Sequence, residues 1–152
     1  VTHYRALSLT PPWPYAMVFW DKDIENRPPG FSHKSFRGAF LIHQSGVKSR
    51  RAYDAAVKLA TKLAAPELVA AFPMPPYDEV RADGTGIVGM ASITGMVQPG
   101  ESGRRWHFDD SVGFILEGAK PLPLIPCKGA LGFWEVPWKI AAQVDGLRGG
   151  GG

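Results

Sequence analysis

The chain alternates short apolar runs with segments dense in proline, glycine and charge. Ala6 to Leu9 reads as a short strand, and Thr10 followed by Pro11 and Pro12 marks a helix start, with threonine as N-cap and proline in the first turn. The helix is expected from about Pro12 to Trp20. Trp13, Ala16, Met17 and Trp20 recur in it at helical spacing and form a face that packs against a sheet. On spacing alone both tryptophans are packing residues. Asp21 to Arg27 (DKDIENR) is the most densely charged heptapeptide and runs straight into Pro28, Pro29 and Gly30, so it reads as a strand entering a turn. Strict alternation puts Lys22 and Ile24 on the side opposite Asp23 and Glu25, and a kink is needed for Lys22 and Glu25 to share a pocket.

Arg37 to Gln44 (RGAFLIHQ) has an apolar middle and reads as a central strand. Ser49 caps a long helix predicted to reach about Ala65. Its apolar stripe is Tyr53, Ala56, Val57, Ala60 and Ala64, while Arg51, Lys58 and Lys62 form a solvated face. Pro66 to Asp83 reads as a connection, because the three prolines within Phe72 to Tyr77 resist regular structure. Strand character resumes over Gly86 to Met96, Gln98 to Arg105 is a loop, and Val112 to Glu117 and Gly132 to Val136 are the last strands. A loop containing Pro121, Pro123 and Pro126 is expected between those two. Pro137 to Val144 reads as a short closing helix. The Gly149 to Gly152 run reads as a frayed tail, giving one domain over 1–147 and a flexible tail over 148–152.

Few helices among many strands, with turns rich in proline and glycine, point to an α+β fold around a small mixed or antiparallel barrel. With 152 residues, 45% of them hydrophobic and 20% charged, the chain can bury a core unaided. The apolar stretches, such as Tyr15 to Trp20, are far shorter than a bilayer span, so no membrane partner is expected. Val1 to Arg5 lacks a signal-peptide layout and the chain begins without methionine, which reads as a processed or trimmed start. The lone Cys127 excludes an intrachain disulfide and a CxxC site, and a reducing, cytoplasmic compartment is the expected home. Cys127 itself reads as inert packing.

The net charge of +3 permits phosphate-bearing partners without requiring them. His3, His33, His43 and His107 lack zinc-helix spacing, and neither GxGxxG nor GxxxxGK[ST] occurs, so neither a metal nor a nucleotide cofactor is expected. What remains is a set of polar groups at strand ends: Lys22, Glu25, Asn26 and Arg27, then Arg37 and His43, then Lys128. They read equally as a functional cleft or as structural ion pairs, for instance Glu25 with Arg37.

LSLTPPWPYAMVFWDKDIENR followed by RGAFLIHQSG resembles the opening of an ASCH domain, the activating-signal-cointegrator homology module of the PUA-like group. The resemblance rests on Leu7 and Ser8, Pro12 and Trp13, Lys22 with Glu25 and Arg27, and Arg37 and Gly38 leading to His43. It continues through the strands Gly86 to Ile93 and Val112 to Leu116 and the closing PCKGALGFWEVP, covering roughly residues 6 to 138. It implies a PUA-like small mixed β-barrel with flanking helices and a cleft near Lys22, Glu25 and Arg27. Family members are mostly inferred to bind RNA or other nucleic acid, and some are small hydrolases of an acylated cytidine or of RNA.

A single strand would then set phosphates against Lys22, Arg27, Arg37 and Lys128, with His43 at the strand end and Trp13 or Tyr15 as a stacking face. A hydrolase acting on a nucleoside or on RNA would instead use Lys22 and Glu25 as its catalytic pair. The amidohydrolase members carry threonine where this chain has Glu25, which favours the binding branch. A protein-interaction domain is the third reading.

Overall fold

A computed structural model describes residues 2–101 and 103–150. In chain order the elements are β1 (Arg5–Leu9), α1 (Trp13–Phe19), β2 (Ile24–Arg27), β3 (Gly38–Gln44), α2 (Arg50–Leu63), α3 (Pro66–Ala71), α4 (Tyr77–Asp83), β4 (Gly86–Val97), β5 (Val112–Pro126), β6 (Phe133–Glu135) and α5 (Trp138–Gly150). The strands form one six-stranded sheet in the order β2-β5-β4-β3-β1-β6, curled into a half-barrel with helices beside it. β1 runs parallel to β3 and the other pairs are antiparallel, so the expected mixed α+β architecture is present.

The period-two alternation of the strands sorts their side chains into two cores. Leu7, Leu9, Phe40, Ile42, Ile93, Phe114, Leu116 and Phe133 line the inside of the curl, where Met17 of α1 joins them. Ala6, Leu41, Ile87 and Ile125 face the other way, against Val136 and the α5 residues Ala141 and Val144. α1 has a second buried face. Ala16 and Trp20 pack with Ile24, Val97 and Trp106 and with Ala60 and Ala64 from α2 and its C-terminal end. The tryptophan stripe read from spacing therefore serves two neighbours, the sheet and α2.

α2 starts where Ser49 predicts, its hydroxyl accepting from the Ala52 N–H at 3.1 Å. Arg51, Lys58 and Lys62 lie on its exposed side. The connection expected over 66–83 contains two short helices. Pro66 suits the first turn of α3, where a missing N–H costs nothing. Between the helices the prolines do keep the chain irregular, and its carbonyls are taken by aromatic donors: Trp20 Nε1 on Phe72 at 2.9 Å, Tyr15 Oη on Pro73 at 3.0 Å and Tyr53 Oη on Pro75 at 2.5 Å. Burial, helped by Asp54, pushes the Tyr53 hydroxyl up to about 12.

Two further readings need correction. The proline loop after Glu117 is instead the second half of β5, paired with β4 through Lys120, Pro121, Ile125 and Pro126. β2 pairs only with Val112 to Ile115 of β5, so this stretch is a sheet edge, where proline forfeits no ladder bond on its outer side. The closing helix is also longer than 137–144. Arg148 Nη1 donates to Tyr4 Oη at 2.9 Å, and Tyr4 Oη donates to Asp145 Oδ1 at 2.6 Å. This tie, with the Thr2 N–H on Asp145 Oδ2, anchors the C-terminal turns and holds the Asp145 carboxyl down at about 2, the Thr2 hydrogen bond being the larger cause. Residues 148–150 of the expected tail are thus helical, while 151 and 152 lie outside the described residues, as does Ser102 of the expected 98–105 loop. No helix among the described residues is long and apolar enough to cross a membrane.

Candidate functional site

The charged heptapeptide does contain the kink that a shared pocket demands. α1 ends at Phe19, Asp21 takes a left-handed φ of 56°, and the Lys22 N–H returns to the Ala16 carbonyl at 3.1 Å before β2 begins at Ile24. Lys22 therefore sits outside the strand alternation, and its side chain folds back under β2. Its Nζ donates to the Ile24 carbonyl and lies 3.4 Å from Glu25 Oε1. Glu25 and Arg27 do alternate within β2 and share a face. Arg27 Nε donates to Glu25 Oε2 at 2.9 Å, and Arg27 Nη2 donates to the Ser8 carbonyl of β1 at 3.0 Å.

Lys22 is only 3% exposed and Glu25 only 7%. Burial drives the Lys22 amine well below its ordinary range, opposed by the neighbouring Glu25 carboxylate. Both Glu25 oxygens are occupied, one by each cation. The Glu25–Arg37 pair considered from sequence does not form. Arg37 is exposed in the loop before β3, with Nη1 donating to the carbonyls of Lys34 and Phe36 at 2.9 and 2.7 Å.

A cleft of about 260 Å³ opens above this trio, between the end of β1 (Ser8 to Thr10) and β2 with its turn (Glu25 to Pro28), with Trp13 at its head. The Trp13 indole is half-buried, with its edge on Phe108 at 6.4 Å and Lys22 Nζ 5.5 Å from a ring centroid. Asn26 holds the far wall. Its Nδ2 donates to the Trp106 carbonyl at 2.8 Å and its Oδ1 accepts from the Phe108 N–H at 2.9 Å, pinning that loop to β2. Phe31 lies under the Arg27 guanidinium at 5.3 Å.

The other expected site residues lie elsewhere. Tyr15, two positions from Trp13, points away from the cleft into an apolar pocket of about 280 Å³ between α1, α4 and the β4–β5 edge. Lys128 is exposed on the loop between β5 and β6. His43 is 1% exposed, too enclosed to meet a ligand. Its Nε2 faces the Cys127 carbonyl at 2.9 Å, an acceptor only, so Nε2 carries the proton and Nδ1 accepts from the Ser8 hydroxyl at 3.0 Å. Trp134 Nε1 donates to the same hydroxyl at 3.1 Å.

A serine beside a histidine is the outline of a nucleophile and its base, but this pair is closed over by backbone. A Cβ at Gly129 would stand 2.4 Å from Ser8 Oγ and 2.6 Å from His43 Cε1, so only glycine lets the loop lie there. The network's work is to clamp that loop onto β1 and β3. Cys127, half-buried in the clamp, has its thiol pushed up by burial, which suits packing more than reactivity.

Ser8 is the functional residue that sequence reasoning undervalued. Its carbonyl anchors Arg27 on the cleft side and its hydroxyl anchors His43 on the other. The available signal was its place between Leu7 and Leu9, which turns a polar side chain away from the inner core. Asn26 was read as one polar group among several, and its two opposed partners come from a loop about eighty residues away, which no local pattern announces. Among the described residues no group of three or more His, Cys, Asp or Glu side chains is placed to hold a metal ion.

Two outcomes are expected. Glu25→Ala takes away the carboxylate that holds both Lys22 and Arg27 under the cleft and is expected to cost about 3–5 kcal/mol in urea unfolding, as for other broken buried pairs; a loss below about 1 kcal/mol contradicts the role given to Glu25. Burial also pushes His43 below 6.5, against the Cys127 hydrogen bond. The unfolded chain then binds the proton first as pH falls, so stability drops from pH 6.5 down to the lower folded value. Urea titrations from about pH 7.5 to about pH 5 are expected to show this loss, and His43→Gln to flatten it; an unchanged slope in His43→Gln contradicts the assignment. In comparisons with known proteins, the chain matches no protein-family model and no curated protein sequence.

Proposed function

We propose that this chain is a nucleic-acid-binding module of ASCH type and PUA-like fold, taking single-stranded RNA or DNA in the cleft beside Trp13. The observation that carries the reading is a half-buried indole and a fixed guanidinium lining one cleft. Arg27 spends Nε on Glu25 and Nη2 on Ser8, and among the described residues Nη1 takes no hydrogen bond, which leaves a held donor for a phosphate or a base edge. Trp13 offers the stacking surface that single-strand binders use without regard to sequence. The motif resemblance over Leu7 to His43 and the curl of the sheet support the same reading, and the lone cysteine suits a cytoplasmic setting. Of the residues first considered for the interface, Arg37 and Lys128 remain available as outer phosphate contacts, whereas Tyr15 and His43 do not face the cleft.

One observation favours a second reading. The lowered pKa of Lys22 beside Glu25 is what a hydrolase acting on a modified nucleoside or on RNA would need to move a proton. Against it, the Lys22 amine and both Glu25 oxygens are already committed to one another, to Ile24 and to Arg27.

Fluorescence polarisation with short single- and double-stranded RNA and DNA tests the first reading. Binding is expected to weaken steeply between about 50 and 200 mM salt. Trp13→Ala is expected to cost about 1–3 kcal/mol of affinity and Arg27→Gln to reduce the salt slope by about 1, with melting curves confirming that both variants fold. Absence of binding to every polymer contradicts the proposal. Turnover of an N-acylated cytidine by the wild type, lost in a folded Lys22→Met variant, would replace it with the second reading.

A further inference from the structure

Trp13 and Thr10 belong to two cavities. Beyond the cleft, on the α2 side of the indole, lies a second space of about 80 Å³, under a third of the cleft's volume, whose floor is opened by the small side chains of Ala52 and Ala56. It is too small for a base with its sugar and suits a compact group. Its lining contains one charged residue, Lys48, and no carboxylate. Of the other polar groups there, Ser49 Oγ accepts from the Ala52 N–H and keeps its own O–H without an acceptor among the described residues, while Tyr53 Oη donates to the Pro75 carbonyl. The Lys48 amine and the Thr10 hydroxyl make no hydrogen bond among the described residues; Thr10 lines both cavities and Lys48 the smaller one.

Resting on the reading of the cleft as a nucleic-acid site, we propose that the ligand is a phosphate-bearing nucleotide, with its nucleoside in the larger cavity against Trp13 and its phosphate in the smaller one against Lys48 and Thr10. Lys48 supplies a point charge, which meets a tetrahedral phosphate from any side, while Arg27 Nη1 remains for the nucleoside. The site thereby prefers a nucleotide or a strand to a free nucleoside. The phosphate is the same group in either, and the side on which it is attached gives the polarity with which a strand crosses Trp13.

Calorimetric titration of the full chain with the four ribonucleosides, their 5′- and 3′-monophosphates, short oligonucleotides and inorganic phosphate tests this. One monophosphate series is expected to bind roughly tenfold more tightly than its nucleosides at low salt, the worth of one charge-assisted hydrogen bond. Lys48→Ala should bring the nucleotide-to-nucleoside ratio close to one, and Lys48→Arg should restore it. Lys48 is exposed, so neither variant threatens folding. If oligonucleotides bind in a Trp13- and Arg27-dependent manner while the ratio is near one in the wild type or unmoved by Lys48→Ala, this inference falls and the cleft reading stands. If no nucleoside, nucleotide or oligonucleotide binds, both fall. Tight binding of inorganic phosphate that survives Lys48→Ala would place the anion elsewhere and also overturn it.

Discussion

A curled sheet that stops short of closing leaves two strands facing each other with no ladder between them. Here β2 stands at one end of the strand order and β1 is fifth, yet the ends approach across the mouth of the half-barrel. Backbone hydrogen bonds hold β2 to β5 alone. What crosses the gap is the Arg27 guanidinium, reaching the Ser8 carbonyl, and what holds that guanidinium is Glu25, whose other oxygen meets the buried Lys22 amine. Burying a lysine is costly unless it is paired, and the positive φ at Asp21 brings it to a carbonyl and a carboxylate at once. Phe31 completes the closure from below, edge-on to Phe114 and Phe133 of the inner core.

The cleft follows from this arrangement. Its walls are the two strand ends that the trio bridges, and its head is Trp13, the first residue of α1. The same contacts fix the chemistry available. Lys22 and Glu25 are spent on holding the gap, so they shape the cleft from beneath, while Arg27 both bridges and presents a donor. The polar trio that holds the gap and the cleft proposed to bind are therefore one feature seen from two sides, so the residue types alone read equally as structural ion pairs or as a functional cleft.

How much was legible depended on how local the cause was. β1, β3, β4 and the first half of β5 announced themselves through apolar alternation, and α2 through its Ser49 cap and stripe. The second half of β5 did not, because three prolines signal a loop until it is known that no strand pairs with its outer side. α5 was cut short in the sequence reading because its final turns are glycine-rich and held by Tyr4 from the opposite end of the chain. Within the site, Lys22, Glu25, Arg27 and Trp13 were named from sequence and do come together. His43 was named too, but only tertiary packing reveals the cover that Gly129 and Cys127 place over it. Tyr15 differs from Trp13 by two helical positions, enough to turn it into another pocket.

The gap between β1 and β2 closes the sheet and is, we propose, the place where a ligand lies. Nuclear magnetic resonance observes both ends of that claim in one titration, through the Trp13 indole and Arg27 side-chain N–H signals as a short single-stranded oligonucleotide is added. Saturable shifts concentrated on Trp13, Arg27 and the backbone of Ser8 to Thr10 are the predicted result. Shifts confined to the outer loops carrying Arg37 and Lys128, with the Trp13 and Arg27 signals unmoved, would contradict it.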